Sequence, residues 1–158
     1  MSHWIYALVI AALLGSALVG GIFFAFSTFI MKALERVPSA EGIRAMQSIN
    51  VVVINPLVMG ALFGTAILST AVAIIVLSGW AGALPHWFFV GAIHYVVGTF
   101  FVTAFGNVPL NNRLESVSPE EGDQLWARYL SKWTFWNHIR TTAAMIAAFC
   151  FAMGLIQL

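Results

Sequence analysis

Residues 45–112 read AMQSINVVVINPLVMGALFGTAILSTAVAIIVLSGWAGALPHWFFVGAIHYVVGTFFVTAFGNVPLNN and contain no Asp, Glu, Lys or Arg. A hydrocarbon core of about 30 Å takes roughly 20 apolar residues as helix, so the stretch must cross a bilayer twice. Ser78-Gly79-Trp80-Ala81-Gly82-Ala83-Leu84-Pro85 lies in its middle and supplies a turn, since Gly and Pro punctuate helices. Two spans are therefore predicted, at about 54–77 and about 86–107. Outward from there, residues 1–31 and 141–158 are equally free of charge. They predict a first span at about 4–31 and a fourth at about 136–157. The alternation of a β-barrel strand is missing. The expected fold is an all-α membrane protein, a four-transmembrane-helix bundle with amphipathic helices at its cytoplasmic face, forming one integral membrane domain over 1–158. No Lys or Arg precedes the first span, and its apolar stretch is about twice an ordinary signal-peptide core, so it reads as a retained anchor.

The composition excludes other classes. Only 8% of the 158 residues are charged, against about 25% in a soluble domain. A net charge of +1 offers no basic surface for nucleic acid. The single cysteine, Cys150, permits neither an internal disulfide nor a multi-cysteine metal site. The seven Lys and Arg all lie after the first and third expected spans. The positive-inside rule then puts both charged loops in the cytoplasm and both termini outside, in a multi-pass protein of the plasma (inner) membrane.

Both loops carry patterns of their own. Ser118-Pro119-Glu120-Glu121 has the form of an N-cap, a first-turn Pro and a capping-box Glu. Leu125, Trp126, Tyr129, Leu130 and Trp133 follow as one apolar stripe, so an interfacial amphipathic helix is predicted, with continuity into the fourth span as an open alternative. Ile43, Met46 and Ile49 predict a shorter counterpart after Pro38. Within the spans, Gly60 and Gly64 form a GxxxG, and Gly91 and Gly98 share one face of the third span. Both predict close helix contact within the monomer, with a homo-oligomer interface as the alternative.

Polar groups in a bilayer need partners and point to function. Asn50 and Asn55 mark the start of the second span; Asn107, Asn111 and Asn112 mark the end of the third. Asn137, His138, Arg140, Thr141 and Thr142 mark the start of the fourth. All converge on one level at the charged-loop end. The structural alternative is that the Asn side chains satisfy backbone around Pro109 and that Arg140 reaches lipid phosphates. His94 stands apart near the middle of the third span. A haem bridging His94 and His138 is disfavoured by their difference in depth, and no metal-ligand spacing is present. No Asp, Glu or Lys lies inside a span, which argues against an ion-coupled pump.

Three segments carry a resemblance: Met46-Gln47-Ser48-Ile49-Asn50, Asn107-Val108-Pro109-Leu110-Asn111-Asn112 and Trp133-Thr134-Phe135-Trp136-Asn137-His138-Ile139-Arg140-Thr141. In order and spacing the chain resembles the bacterial branch of the anthrone oxygenase-like family, small four-helix membrane proteins. Lys32 departs from the proline found there in many relatives. The resemblance implies four membrane helices. From its fungal relatives it also implies oxidation of polyketide anthrones to anthraquinones with O₂ and no evident cofactor. Under that implication His138 is the candidate base, being the one cluster residue that titrates near neutral pH. Arg140 would stabilise an anionic intermediate, and Asn107, Asn111 and Asn137 would orient its oxygens. Trp133, with Trp136, would stack on a flat lipophilic aromatic; Asn50, Asn55 and Thr141 complete the expected binding set. No metal enters this scheme. The competing expectation is a non-catalytic membrane module that binds lipid or a partner protein.

Overall fold

Proline, glycine and asparagine punctuate the chain into five helices in the computed structural model, which describes residues 2–80 and 82–158. These are α1 (His3–Glu35), α2 (Ser39–Val52), α3 (Pro56–Ser78), α4 (His86–Glu115) and α5 (Asp123–Ile156). Ala81, in the expected turn between α3 and α4, lies outside the described residues. Four of the five, α1, α3, α4 and α5, are long and apolar enough to span a membrane, so this is a multi-pass membrane protein. Pro38 precedes α2 and starts it. Asn55 caps α3, its Oδ1 accepting from the backbone N–H of Leu57 and Val58, and Pro56 takes the first helical position. Gly79 ends α3 in the left-handed region, φ +64°.

Two boundaries differ from expectation. Ser118 does not cap a helix: its hydroxyl donates to Glu120 Oε2 at 2.7 Å. Pro119–Glu121 form a 3₁₀ turn and the long helix begins at Asp123. The amphipathic segment and the fourth span are thus one continuous helix. The third helix does not stop at about 107 either: α4 runs through Pro109 to Glu115. A π-helical turn at Thr103–Asn107 ends two residues before the proline. Its i→i+5 bonding moves the chain out of the register in which the ring would strike a carbonyl one turn back.

The four spans form a ring in which α1 packs on α3 and α5, and α4 packs on α3 and α5. Two apolar cores result. One runs from beside the cavity, at Val19 and Leu62, into the half remote from the charged loops, with Val9, Phe88, Tyr95 and Phe151. The other fills the charged-loop end with Met31, Ile43, Met46, Leu114, Trp126 and Trp133. Gln47 fastens α2 there, donating to the carbonyls of Leu114 (2.9 Å) and Val117 (3.1 Å).

Glycine sets the approach of α4 to α5. A Cβ on Gly98 would lie 2.5 Å from the Ala143 Cβ, and one on Gly91 would lie 3.1 Å from the Ala147 carbonyl oxygen. The expected Gly60/Gly64 contact is not made: a Cβ at either position meets nothing within 4 Å. That face of α3 turns away from the other helices.

Candidate functional site

Between the two cores lies a layer of buried polar side chains: Thr99, Asn107, Asn137, Arg140 and Thr141. The backbone there is unusual. α1 is π-helical at Phe26–Ile30 and α4 is π-helical at His94–Phe101 and Thr103–Asn107. Such turns recur at functional sites because they re-aim side chains within a helix.

Arg140 is the centre of the layer. It is 6% exposed. Its Nε donates to Asn137 Oδ1 at 2.9 Å and its Nη1 donates to Thr103 Oγ1 at 3.3 Å. The Phe23 ring lies beneath it, 3.7 Å from the guanidinium carbon to the centroid, and the Trp133 ring lies at 5.0 Å. Among the described residues no carboxylate pairs with it; the ion pair present, Arg44 with Glu120, is on the loop surface.

Each partner of Arg140 is itself held. Asn137 and Arg140 are three apart and share a face of α5. Asn137 Nδ2 donates to the Phe23 carbonyl at 2.9 Å and to Ser27 Oγ at 2.7 Å, which ties α5 to α1. Thr141 Oγ1 donates to the Asn137 carbonyl at 2.6 Å and lies 3.1 Å from Ser27 Oγ. Asn137, Ser27 and Thr141 thereby close a ring of hydrogen bonds behind the guanidinium. Thr103 gives its own proton to the Thr99 carbonyl, leaving Oγ1 free to accept from Arg140. Thr99 Oγ1 in turn donates to the Arg140 carbonyl at 3.2 Å.

This layer forms one wall of a cavity of about 640 Å³, a size that suits an organic ligand. Phe23, Phe26, Leu62, Phe63, Phe100 and Trp133 make most of it apolar. Asn50, Thr103, Asn107, Asn111 and Arg140 give it one polar end. Two of these have bonding capacity to spare. Asn107 is 1% exposed and donates to the Trp133 carbonyl at 3.1 Å, while its Oδ1 is buried without a partner. Asn50 Nδ2 is buried beside the Tyr129 hydroxyl and makes no hydrogen bond of its own. Asn111 Oδ1 accepts from both Tyr129 Oη and Trp133 Nε1, each at 2.8 Å, which fixes the indole against the cavity. The mouth lies between the α2–α3 link, at Val51 and Ile54, and the last turns of α4, at Asn112 and Glu115.

The structure brings Asn50, Asn107, Asn111, Trp133 and Arg140 to the cavity, with Asn137 and Thr141 directly behind it. It does not bring His138 there. His138 is exposed on the outer side of α5, because a residue two positions from Arg140 points about 200° away on a straight helix. Asn55 is not in the cavity wall either, being engaged in the α3 cap and in a bond from its Nδ2 to the Val52 carbonyl. His94 Nδ1 sits 2.9 Å from the Val90 carbonyl of its own helix. Sequence reasoning missed Phe23, Ser27 and Thr99. Ser27-Thr28 was the available signal, a polar pair inside a charge-free span at the depth of the other polar groups.

Residues 55–150 match the family described as anthrone oxygenase. Neither a curated protein nor a solved structure matches the chain.

Proposed function

We propose, starting from the fact that the chain belongs to the anthrone oxygenase family, that it oxidises a flat phenolic aromatic with O₂ inside the cavity beside Arg140. One observation carries this reading. A buried guanidinium without an anionic partner stands at the edge of an apolar, aromatic-walled chamber. Burying a charge is costly unless something of opposite sign completes it. Arg140 uses two of its five N–H groups on protein acceptors. A ligand oxygen that acquires negative charge supplies what is missing.

The chemistry follows from that placement. An anthrone in its enol form ionises more readily when its oxygen lies against Arg140, since a nearby positive charge favours the charged form. The proton leaves to water at the mouth. The resulting anion is electron-rich at the ring carbon that was the methylene. It adds O₂ to give a peroxide anion at that carbon. A proton taken back from water makes the hydroperoxide, and as the remaining C–H proton leaves the O–O bond breaks, so that water departs and the carbonyl remains. Overall a CH₂ and one O₂ become a C=O and one H₂O. Trp133 and Phe23 hold the flat ring, and Asn107 Oδ1 accepts a phenolic hydroxyl. His138 has no part in this scheme, because it does not face the cavity.

The orientation in the membrane belongs to the same proposal. The charged loops lie in the cytoplasm of a plasma-membrane protein, so substrate reaches the mouth from the inner leaflet.

The decisive measurement is O₂ uptake by the purified protein with a hydroxyanthrone, paired with quinone formation. One O₂ per quinone is expected, at a rate well above solution autoxidation. Arg140→Met lowers kcat/KM on the order of 10²–10³-fold, the loss typical when a group stabilising an oxyanion is removed. A protein that binds the anthrone and leaves its autoxidation rate unchanged would falsify the oxygenase reading. A tightly co-purifying lipid in that same sample would favour a lipid-binding module.

A further inference from the structure

A second depression adjoins the cavity. It has a volume of about 450 Å³ and runs along the seam between α3 and α4. Its floor is small: Ala66 is buried, Ala71 is half-buried, and the Thr70 hydroxyl donates to its own helix at the Ala66 carbonyl, 2.8 Å away. Its rims are bulky and exposed: Phe63, Ile67, Ile74 and Phe101. No free hydrogen-bonding side chain enters it. Phe63 and Phe100 line both depressions and meet edge to face, 5.1 Å between centroids.

The direction of this seam matters. Phe63 lies two turns into α3 from the charged-loop end, and Ile74 lies near its far end. Eleven residues of rise separate them, about 16 Å at 1.5 Å per residue. The groove therefore leaves the cavity at its apolar side and descends into the hydrocarbon region. The polar groups of the cavity, Arg140, Asn107 and Asn50, sit at the opposite, charged-loop end. Head-to-tail polarity of this kind matches an amphiphile as it lies in a leaflet, oxygenated ring toward the headgroups and hydrocarbon toward the midplane.

We infer that the ligand of this site is a tailed aromatic: a phenolic or quinol-type ring in the cavity carrying an alkyl or isoprenoid chain that lies in the α3–α4 groove. The inference rests on the oxygenase reading for the ring and goes beyond it for the chain. Phe63 and Phe100 pack edge to face where the two depressions meet, so the chain leaves over the exposed edge of Phe63. The groove selects by length and flexibility of a hydrocarbon, because Thr70 turns its hydroxyl away.

The test uses two stable product analogues, 1,8-dihydroxyanthraquinone and the same ring bearing a dodecyl chain. Binding is read by quenching of tryptophan fluorescence in phosphatidylcholine nanodiscs. Partition of the chain into lipid cancels when wild type and variant are compared at one lipid composition. Ala71→Phe, which fills the floor, is expected to weaken the tailed compound about tenfold and leave the untailed one within about twofold. Ile67→Ala removes a rim without crowding the helix and is expected to give a smaller loss, again confined to the tailed compound. Thermal unfolding checks that both variants fold. Equal effects on the two compounds, or none on either, overturn the tail site while leaving the ring site standing. Failure of the wild type to bind either compound overturns both readings.

Discussion

The two halves of this bundle differ in what their closely packed helices enclose. In the half remote from the charged loops, small residues let backbones close up. A Cβ on Gly154 would fall 2.3 Å from the Phe88 ring, one on Gly98 2.5 Å from Ala143 and one on Gly91 3.1 Å from the Ala147 carbonyl; Gly42, Gly106 and Gly122 of the charged-loop half are also close, to the side chains of Trp126, Trp136 and Ile43. In the charged-loop half the helices carry π-helical turns, large aromatics and a polar layer, and they enclose a cavity of about 640 Å³. The closed half holds the helices in position. The open half has room for a ligand because the closed half leaves it free of that task.

The comparison is broken most severely at Gly98, where the halves meet. Gly98→Leu drives a side chain into Ala143 and is expected to destabilise the protein by about 3 kcal/mol. Thermal unfolding in detergent should show a large fall in Tm. Ligand affinity should fall with it, since Thr99 and Thr103 retreat from Arg140. Asn137→Ala ranks next. It leaves the Phe23 carbonyl, Ser27 and the Arg140 Nε without their shared partner, a loss of about 2 kcal/mol. Hydrogen exchange should report it as faster opening of α1 around Phe23, with the remote half unchanged; exchange rising equally in both halves would dissolve the distinction.

Effects at the loops are smaller and stay local. The Ser118 hydroxyl holds the Glu120 carboxyl below its ordinary range, helped by its own backbone N–H and by Arg44. A lowered carboxylate value stabilises the folded turn above the unfolded value, and that contribution disappears as pH falls through the lowered one. Exchange of residues 116–122 should therefore quicken on acidification, and Ser118→Ala should flatten the dependence without touching the cavity. The smallest effect belongs to His138→Ala. With its side chain on the outer face of α5, turnover is expected within about twofold of wild type.

Much of this division is legible in the sequence. Charge-free stretches broken at Gly79 and Pro85 mark the spans, because a bilayer excludes charge wherever a helix crosses it. The depth of Asn50, Asn107, Asn111 and Arg140 is legible for the same reason. The direction in which side chains face is harder. His138 and Arg140 are close in sequence and far apart around the helix. The π-helical turns leave no mark, since backbone bonding there is settled by packing against neighbouring helices. Ser27 and Phe23 look ordinary until α5 brings Asn137 against them. Gly60 and Gly64 show the converse, a packing motif on which no other helix of this chain packs.

The arrangement around Arg140 also bears on how the protein is made. A ribosome releases α1 and α4 before α5. An arginine carried into a membrane span is costly unless it finds partners there. Among the described residues, the hydrogen-bond and cation–π partners of the Arg140–Asn137 pair outside α5, namely Phe23, Ser27, Thr99 and Thr103, are carried on those earlier helices. The polar cargo of α5 thus finds its receptors on helices that are synthesised before it. A chain rearranged so that α5 emerged first would have to carry that arginine into lipid alone.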